Sequence, residues 1–453
     1  MVTWRVPALL GVLGGLDLAV VTLAFPEAWL WPSLAVVTGF VLLLTALDWL
    51  VAAPAGEVRL TRSGPRQVRL GETAEVTLTV TNTSPRTLRG LVRDAWVPSA
   101  GATPYAHSVL LDPEESADLV TTLYPTRRGD RPAVRVTVRS YGPLGLAFRQ
   151  TSRRRSAAIT PSWAVTVLPP FTARRFLPEK LSRLRVIEGS TVTRGSGHGT
   201  EFDSLREYVI GDDVRSIDWR ATARRENVVV KTWRPERDRR VLCVIDTGRT
   251  SAGRVGTIGK AGETRRGEPR LDAAIDAALL LAALATHADD RVDLLAMDTV
   301  VRASVSTSVR RNQLPRLTQA LAGLQPALVE TDFSRVVTEV LRIERRRALV
   351  VIFTALDPAA LGEGLLPVLP RLVAKHTVMI AAVHDPSLEW LASARGTAGD
   401  IHTAASAART LAELDRVRTA LTRFNVHVVD APVETFASAV ADRYLDLKAA
   451  GRL

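Results

Sequence analysis

Cysteine is almost absent. Cys243 alone, inside the apolar run VLCVID, serves a chain of 453 residues, which rules out an intrachain disulfide and any cysteine-cluster zinc site. A single thiol within an apolar strand reads as a buried structural group rather than a nucleophile. Aromatic residues make up 5% of the chain and do not interleave with the arginines, so the stacking platforms of nucleic-acid binders are missing. Neither HExxH nor GxSxG occurs, and His287, His376, His384, His402 and His427 stand scattered near the expected ends of strands and helices. The stretch GTIGKAGET imitates a phosphate-binding loop, but Gly253 and Gly259 are wrongly spaced and Ala261 follows Lys260 where Ser or Thr is required. No catalytic set and no small-molecule substrate site is legible, and the expectation is a protein that is not an enzyme.

Positive charge is in excess. Lys and Arg number 59 against 47 Asp and Glu, a net charge of +12, which suits nucleic acid, anionic lipid or an acidic protein. The simpler reading is an Ala- and Arg-rich composition with a basic juxtamembrane stretch. Residues 6–25 form an apolar run broken only by Asp17, and residues 30–53 form a second. Each has about the twenty residues that a helix needs to cross a bilayer, and Trp29, Trp31 and Trp49 lie near the ends, where interfaces favour them. A cleaved signal peptide is the alternative for the first run, but no small-x-small site follows it and a second run comes directly after. Residues 1–54 therefore read as a transmembrane helical hairpin. Arg5 precedes it and Arg59, Arg62, Arg66 and Arg69 follow it, whereas the loop FPEAWLWP has no basic residue. By the positive-inside rule both ends face the cytoplasm, and so do the large domains. Asp17 is expected to be neutral or partnered by the second helix rather than functional, and Gly11 and Gly15 give a GxxxG spacing for close helix approach.

From residue 57 to 170 the hydrophobic period changes to two, as in AEVTLTVTNTS, where Val76, Leu78 and Val80 alternate with threonines. Similar runs at 88–96, 116–123, 133–139, 146–150 and 164–168 are separated by turn clusters, with no long helix. This predicts an Ig-like β-sandwich over 55–170. Residues 171–239 read as a basic connector ending in the turn GSGHG, itself a flexible or packed loop, and then a charged segment. Its carboxylates alternate with arginines, which predicts a salt-bridged structural network with Trp219 and Trp233 as packing anchors.

Residues 240–453 alternate apolar strand-like runs (241–246, 292–297, 348–353, 377–383, 426–429) with helix-like ones (271–287, 316–323, 332–343, 358–374, 407–424, 433–448). That pattern predicts an α/β domain, a mostly parallel sheet with helices on both faces and 300–306 as an antiparallel edge. The ligand crevice of such a sheet lies beyond the strand carboxyl ends, so the loops after Ile245 and Phe353 are the candidates. The glycine- and charge-rich tract 251–270 has no apolar period and reads as a mobile loop over that site.

The stretches GHGTEF and LREYVIGDDVRSIDWRATAR resemble the signature of the domain-of-unknown-function 58 family, bacterial proteins with a von Willebrand factor A-like domain. The residues that carry it are Gly199, Glu201, Phe202, Leu205, Arg206, Tyr208, Gly211, Asp212, Arg215, Ile217, Asp218 and Trp219. RRGDRPAVRVTVRSYGPLGLAFR and the closing RYLDLKAAGRL look like that family's further landmarks. The resemblance implies a von Willebrand A-like fold and a divalent-ion site, magnesium by its hard oxygen ligands. Here Asp246, Thr250 and Thr331 stand at ligand positions of that site, with Asp332 beside Thr331. Gly248 replaces one hydroxyl, and Ala355 stands in place of an acid that Asp357 reaches only if its loop bends. The alternative is structural, with Asp246 capping a turn and both threonines satisfying backbone groups. No other cofactor is expected. The resemblance also implies a protein partner, an AAA+ ATPase of the MoxR type, in chaperone-like complex maturation. The expectation is thus a membrane-anchored cytosolic interaction or scaffold protein whose sandwich spaces the α/β domain from the bilayer. The alternative is a cell-envelope or adhesion factor with an extracytoplasmic ligand-binding domain.

Overall fold

Two helices open the chain, α1 (Arg5–Ala24) and α2 (Leu30–Val51). Both are long and apolar enough to cross a membrane, and little of either is buried by the rest of the protein. Asp17 is partnered across the pair, its Oδ2 accepting from Ser33 Oγ at 2.9 Å. The GxxxG spacing is not what lets the helices approach: a Cβ at Gly11 or Gly15 meets open space, and the glycine that faces α2 is Gly14, 3.5 Å from Leu34.

The computed structural model describes residues 1–192, 201–209, 212–224, 227–234, 239–258, 264–306 and 313–453. It divides into two units, Met1–Leu168 and Pro169–Leu453.

In the first unit nine strands follow the helices: β1 (Val58–Ser63), β2 (Gln67–Arg69), β3 (Ala74–Asn82), β4 (Leu88–Trp96), β5 (Ala106–Leu111), β6 (Ser116–Leu123), β7 (Gly129–Tyr141), β8 (Phe148–Gln150) and β9 (Ala164–Leu168), with a short α3 (Arg153–Ile159) before the last. They form one sheet in the order β1-β3-β6 and another in the order β2-β9-β7-β4-β5, with β8 added to β7. Period-two alternation puts Val76, Leu78 and Val80 on one buried face of β3. Leu78 and Val80 share a core with Leu88, Val92, Val136 and Val138 of the second sheet. β1, β2 and β5 lie outside the runs read from sequence.

One of the arginines that the sequence places on the cytoplasmic surface does something else. Arg62 and Asp94 pair at 2.5 Å with both side chains fully buried. Asp94 also accepts from Trp96 Nε1 at 2.9 Å, and Arg62 donates to the Pro161 carbonyl at 3.0 Å. Burial pushes the Arg62 guanidinium down from its ordinary range, against the pull of Asp94.

The second unit opens with α4 (Leu177–Val192), β10 (Glu201–Glu207), the single turn α5 (Trp219–Thr222) and β11 (Val229–Arg234), which pairs antiparallel with β10. The following elements are β12 (Arg240–Asp246), β13 (Arg254–Ile258), β14 (Thr264–Pro269), α6 (Arg270–His287), β15 (Arg291–Met297), β16 (Val301–Val305), α7 (Gln313–Ala322) and α8 (Phe333–Ile343). β17 (Leu349–Phe353), α9 (Leu369–Val373), β18 (Thr377–Val383), α10 (Ser387–Ser393), α11 (Ala398–Arg423), β19 (His427–Ala431) and α12 (Val433–Ala449) complete it. The main sheet runs β16-β15-β12-β17-β18-β19, parallel except for the edge strand β16.

Both faces of this sheet are covered, which is why its strands read as continuous apolar runs. Along β12, Val241, Cys243 and Ile245 pack on one side with α6, α7 and α12, while Leu242 and Val244 pack on the other with α8, α9 and α11. The Cys243 thiol is pushed up to about 12 by burial, reinforced by Asp293, and is inert accordingly.

One element went unread in the sequence, and two expectations need correction. The connector contains the helix α4, whose Leu184 joins the core and whose Lys180 is buried against Asp442 at 2.8 Å; its basic composition hides this because the partner is remote in sequence. The tract 251–270 is not a bare loop, since β13 and β14 pair as an antiparallel hairpin and Val255 is buried; its residues 259–263, with the GKAG lookalike, lie outside the described residues. The helix read at 358–374 is broken into a wide turn, Ala360–Leu365, and the short α9.

Candidate functional site

The strand order turns back at β12, with β15 on one side and β17 on the other. Crevices at such a reversal open beyond the strand carboxyl ends. Asp246 is the last residue of β12, and its buried carboxylate is surrounded by donors. Oδ1 accepts from the Gly248 N–H at 2.8 Å and from Thr331 Oγ1 at 2.5 Å. Oδ2 accepts from Thr250 Oγ1 at 3.0 Å and from Thr354 Oγ1 at 2.6 Å. Thr331 fits because position 248 is glycine: a Cβ there would sit 2.1 Å from its hydroxyl.

The structure therefore brings Asp246, Thr250 and Thr331 together, and it adds Thr354. Neither threonine hydroxyl serves the backbone, as the structural alternative supposed; both donate to the carboxylate. Thr354 follows an apolar strand directly, and a hydroxyl at a strand tip was the signal for it. Asp357 does not reach the cluster, because it caps its own turn by accepting from the Ala359 and Ala360 N–H groups. Asp332 caps α8 through the Arg335 N–H.

A magnesium site needs several oxygens with lone pairs free and more than one formal negative charge. Here one carboxylate already holds four hydrogen bonds, and three hydroxyls direct their protons inward. Among the described residues no group of three His, Cys, Asp or Glu side chains is placed to hold an ion. The donor set does not fit a magnesium ion, and the cavity beside Asp246 is about 10 Å³, room for one water.

A second acid, Asp298, stands just past β15. It accepts from Thr247 Oγ1 at 3.0 Å, Arg302 Nε at 2.7 Å and the Thr299 and Val300 N–H groups at 2.6 and 3.1 Å. Burial alone would raise its pKa, but Arg302 and the other donors outweigh it and hold the carboxyl at about 2. A depressed carboxyl stabilises the fold above its unfolded pKa, and that stabilisation is lost as pH falls toward the folded value. Asp298→Asn should therefore unfold more easily than the parent at pH 7 by about 2 kcal/mol, the gap closing as pH falls from about 4 to 2. Urea unfolding across that range reads the gap, and one that does not change with pH contradicts the assignment.

The signature segment forms its own small layer. Arg206 forks onto Asp212 at 2.7 and 2.5 Å, and that pairing, with the Val209 N–H, holds the Asp212 carboxyl low. Asp213 caps the turn at Arg215. Asp218 caps α5 and is held low by the Ala221 N–H, then by Lys231 and the Arg220 N–H. Leu205, Tyr208 and Ile217 are half-buried, and Ile217 bridges to Val230. Trp219 is not a packing anchor: it is 66% exposed, with Val209 and Val214 exposed to 60% and 59%. Gly199 and Gly211 lie outside the described residues, as do the side chains of Glu201, Phe202 and Trp233.

The family described as "Protein of unknown function DUF58" matches residues 204–423. The uncharacterized proteins Rv1480 of Mycobacterium tuberculosis and Mb1516 of Mycobacterium bovis are each 27% identical to this chain over 203 residues, covering 44% of it. The chain spans 60% of the length of these relatives. Among solved structures, the SpRpn10 VWA domain is 11% identical with a TM-score of 0.26, covering 45% of this chain and 94% of its own. The CARDB domain of the PF1109 protein from Pyrococcus furiosus is 17% identical with a TM-score of 0.19, covering 26% and 94%.

Proposed function

With residues 204–423 a DUF58 region, we propose that the protein is a membrane-anchored scaffold whose second unit is a von Willebrand A-like recognition module facing the cytosol. Its partner is an AAA+ ATPase of the MoxR type, and the pair acts in chaperone-like maturation of other complexes. The first unit is the anchor, an Ig-like sandwich borne by two membrane-spanning helices.

The observation that carries this reading is the signature layer. Asp212, Asp213 and Asp218 serve caps and ion pairs, whereas Trp219, Val209 and Val214 stand in solvent. Acids engaged that way are not poised for proton transfer, and large apolar side chains exposed within one short segment fit a place where another protein binds. The strand-tip cluster agrees, because a carboxylate with four donors is a rigid platform and not a reactive group.

The test is affinity capture of the full chain from detergent-solubilised membranes, beside a Trp219→Asp variant. A MoxR-type ATPase recovered with the parent and lost with the variant supports the proposal. Its absence from both, or equal recovery with both, overturns it.

A further inference from the structure

We infer that the foot of the hairpin holds a binding site for the phosphate group of an anionic phospholipid. A cavity of about 460 Å³ opens where α1 begins, lined by Arg5, Arg89 and Arg139 together with Trp4, Tyr141 and Phe148. No Asp or Glu lines it among the described residues. The site lies within the first unit and rests on the membrane-spanning reading of α1 and α2.

Strand register builds the cationic wall. In the β4–β7 ladder Leu91 faces Arg139, which leaves Arg89, two residues back on the same exposed face, as a diagonal neighbour. Arg93 and Arg135 continue the row along the same two strands. Like charges so placed repel one another, and an anion seated among them relieves the cost. The walls are already held in position. Arg139 Nε donates to Gln150 Oε1 at 2.7 Å, and its guanidinium lies 5.3 Å from the Phe148 ring centre. Phe148 in turn packs on Tyr141, ring centres 5.8 Å apart. Arg5 Nη1 donates to the Leu144 carbonyl at 3.4 Å. Each guanidinium keeps further N–H groups in a planar fork matched to phosphate oxygens.

Location selects a lipid over a free anion. Arg5 is the first residue of α1 and Trp4 stands beside it, 76% exposed. A helix of twenty residues spans about 30 Å, the hydrocarbon thickness, so its end sits at headgroup depth. From there the exposed apolar side of α1, with Val12, Leu16 and Leu23, offers a path for the acyl chains.

The full chain in detergent micelles is titrated by thermophoresis with short-chain phosphatidylglycerol, short-chain phosphatidylcholine and inorganic phosphate. Two basic contacts near a lipid surface should make phosphatidylglycerol bind about thirtyfold tighter than phosphatidylcholine. The exposed pair Arg89→Gln/Arg139→Gln should abolish that preference, whereas Arg409→Gln, on an outer helix of the other unit, should retain it. Equal binding of the two lipids, a preference that survives the double variant, or inorganic phosphate binding as tightly as phosphatidylglycerol would each overturn the inference. Micelles have no inside or outside, so failure here is separable from a wrong orientation of the anchor.

Discussion

Asp48→Ala is expected to lower the stability of the full chain in detergent by roughly 4 kcal/mol, the sum that a few charge-assisted hydrogen bonds in a buried place contribute. Asp48 lies near the end of α2 and is almost wholly buried. Its Oδ1 accepts from the Leu144 N–H at 2.7 Å, and its Oδ2 accepts from the Leu146 and Ala147 N–H groups at 2.7 and 2.8 Å. Position 142 must be glycine for this, because a Cβ would stand 2.2 Å from the carboxylate. The start of the chain docks on the same loop, through the Thr3 N–H to the Leu146 carbonyl at 2.9 Å and the bridge between Val2 and Ala147. The loop SYGPLGLAFR is thus a socket for both ends of the hairpin. Thermal unfolding with Asp17→Ala as comparison reads the effect. Asp17 has one hydroxyl partner, and its loss should cost far less; equal losses for the two variants would contradict the socket.

The second large effect is in the last helix, α12. Lys448 Nζ lies 3.0 Å from both oxygens of Asp290, and Tyr444 donates to the same carboxylate at 2.5 Å. Both ionic side chains are almost fully buried. Burial pushes the Asp290 carboxyl up, against the pull of Lys448 and Tyr444. Removing one partner of such a pair leaves an uncompensated charge, so Lys448→Met should cost about 4 kcal/mol. Lys448→Met/Asp290→Asn removes both charges and should recover much of it. Chemical denaturation of the four members of this cycle measures the coupling, and purely additive losses would count against the pair. On the same helix Asp442 and Asp446 hold Lys180 and Arg183 of α4, so α12 is fastened to α4 as well.

What the sequence conveyed depended on range. VLCVID, LVVIF and TVMIAAV are strands in any reading, because a parallel strand covered on both faces must be apolar throughout. AEVTLTVTN announced its one-sided burial by alternation. Asp246, Thr250 and Thr331 were legible as a constellation by resemblance, but the hydrogen bonds that both threonines donate to the Asp246 carboxylate were not. Asp48 drew no reading inside the apolar run 30–53, because its partners lie almost a hundred residues away. Arg62 looked like a surface arginine for the same reason, with Asp94 on another strand. α4 and the hairpin β13–β14 were missed because tertiary partners stabilise them, rather than any apolar period of their own.

In the proposed topology two spanning helices leave the rest of the chain on the cytoplasmic side. Green fluorescent protein and alkaline phosphatase fused in turn after Leu453 test it most directly in intact cells. A fluorescent fusion and an inactive phosphatase are expected. A dark fusion with an active phosphatase would place the recognition surface outside the membrane and contradict it.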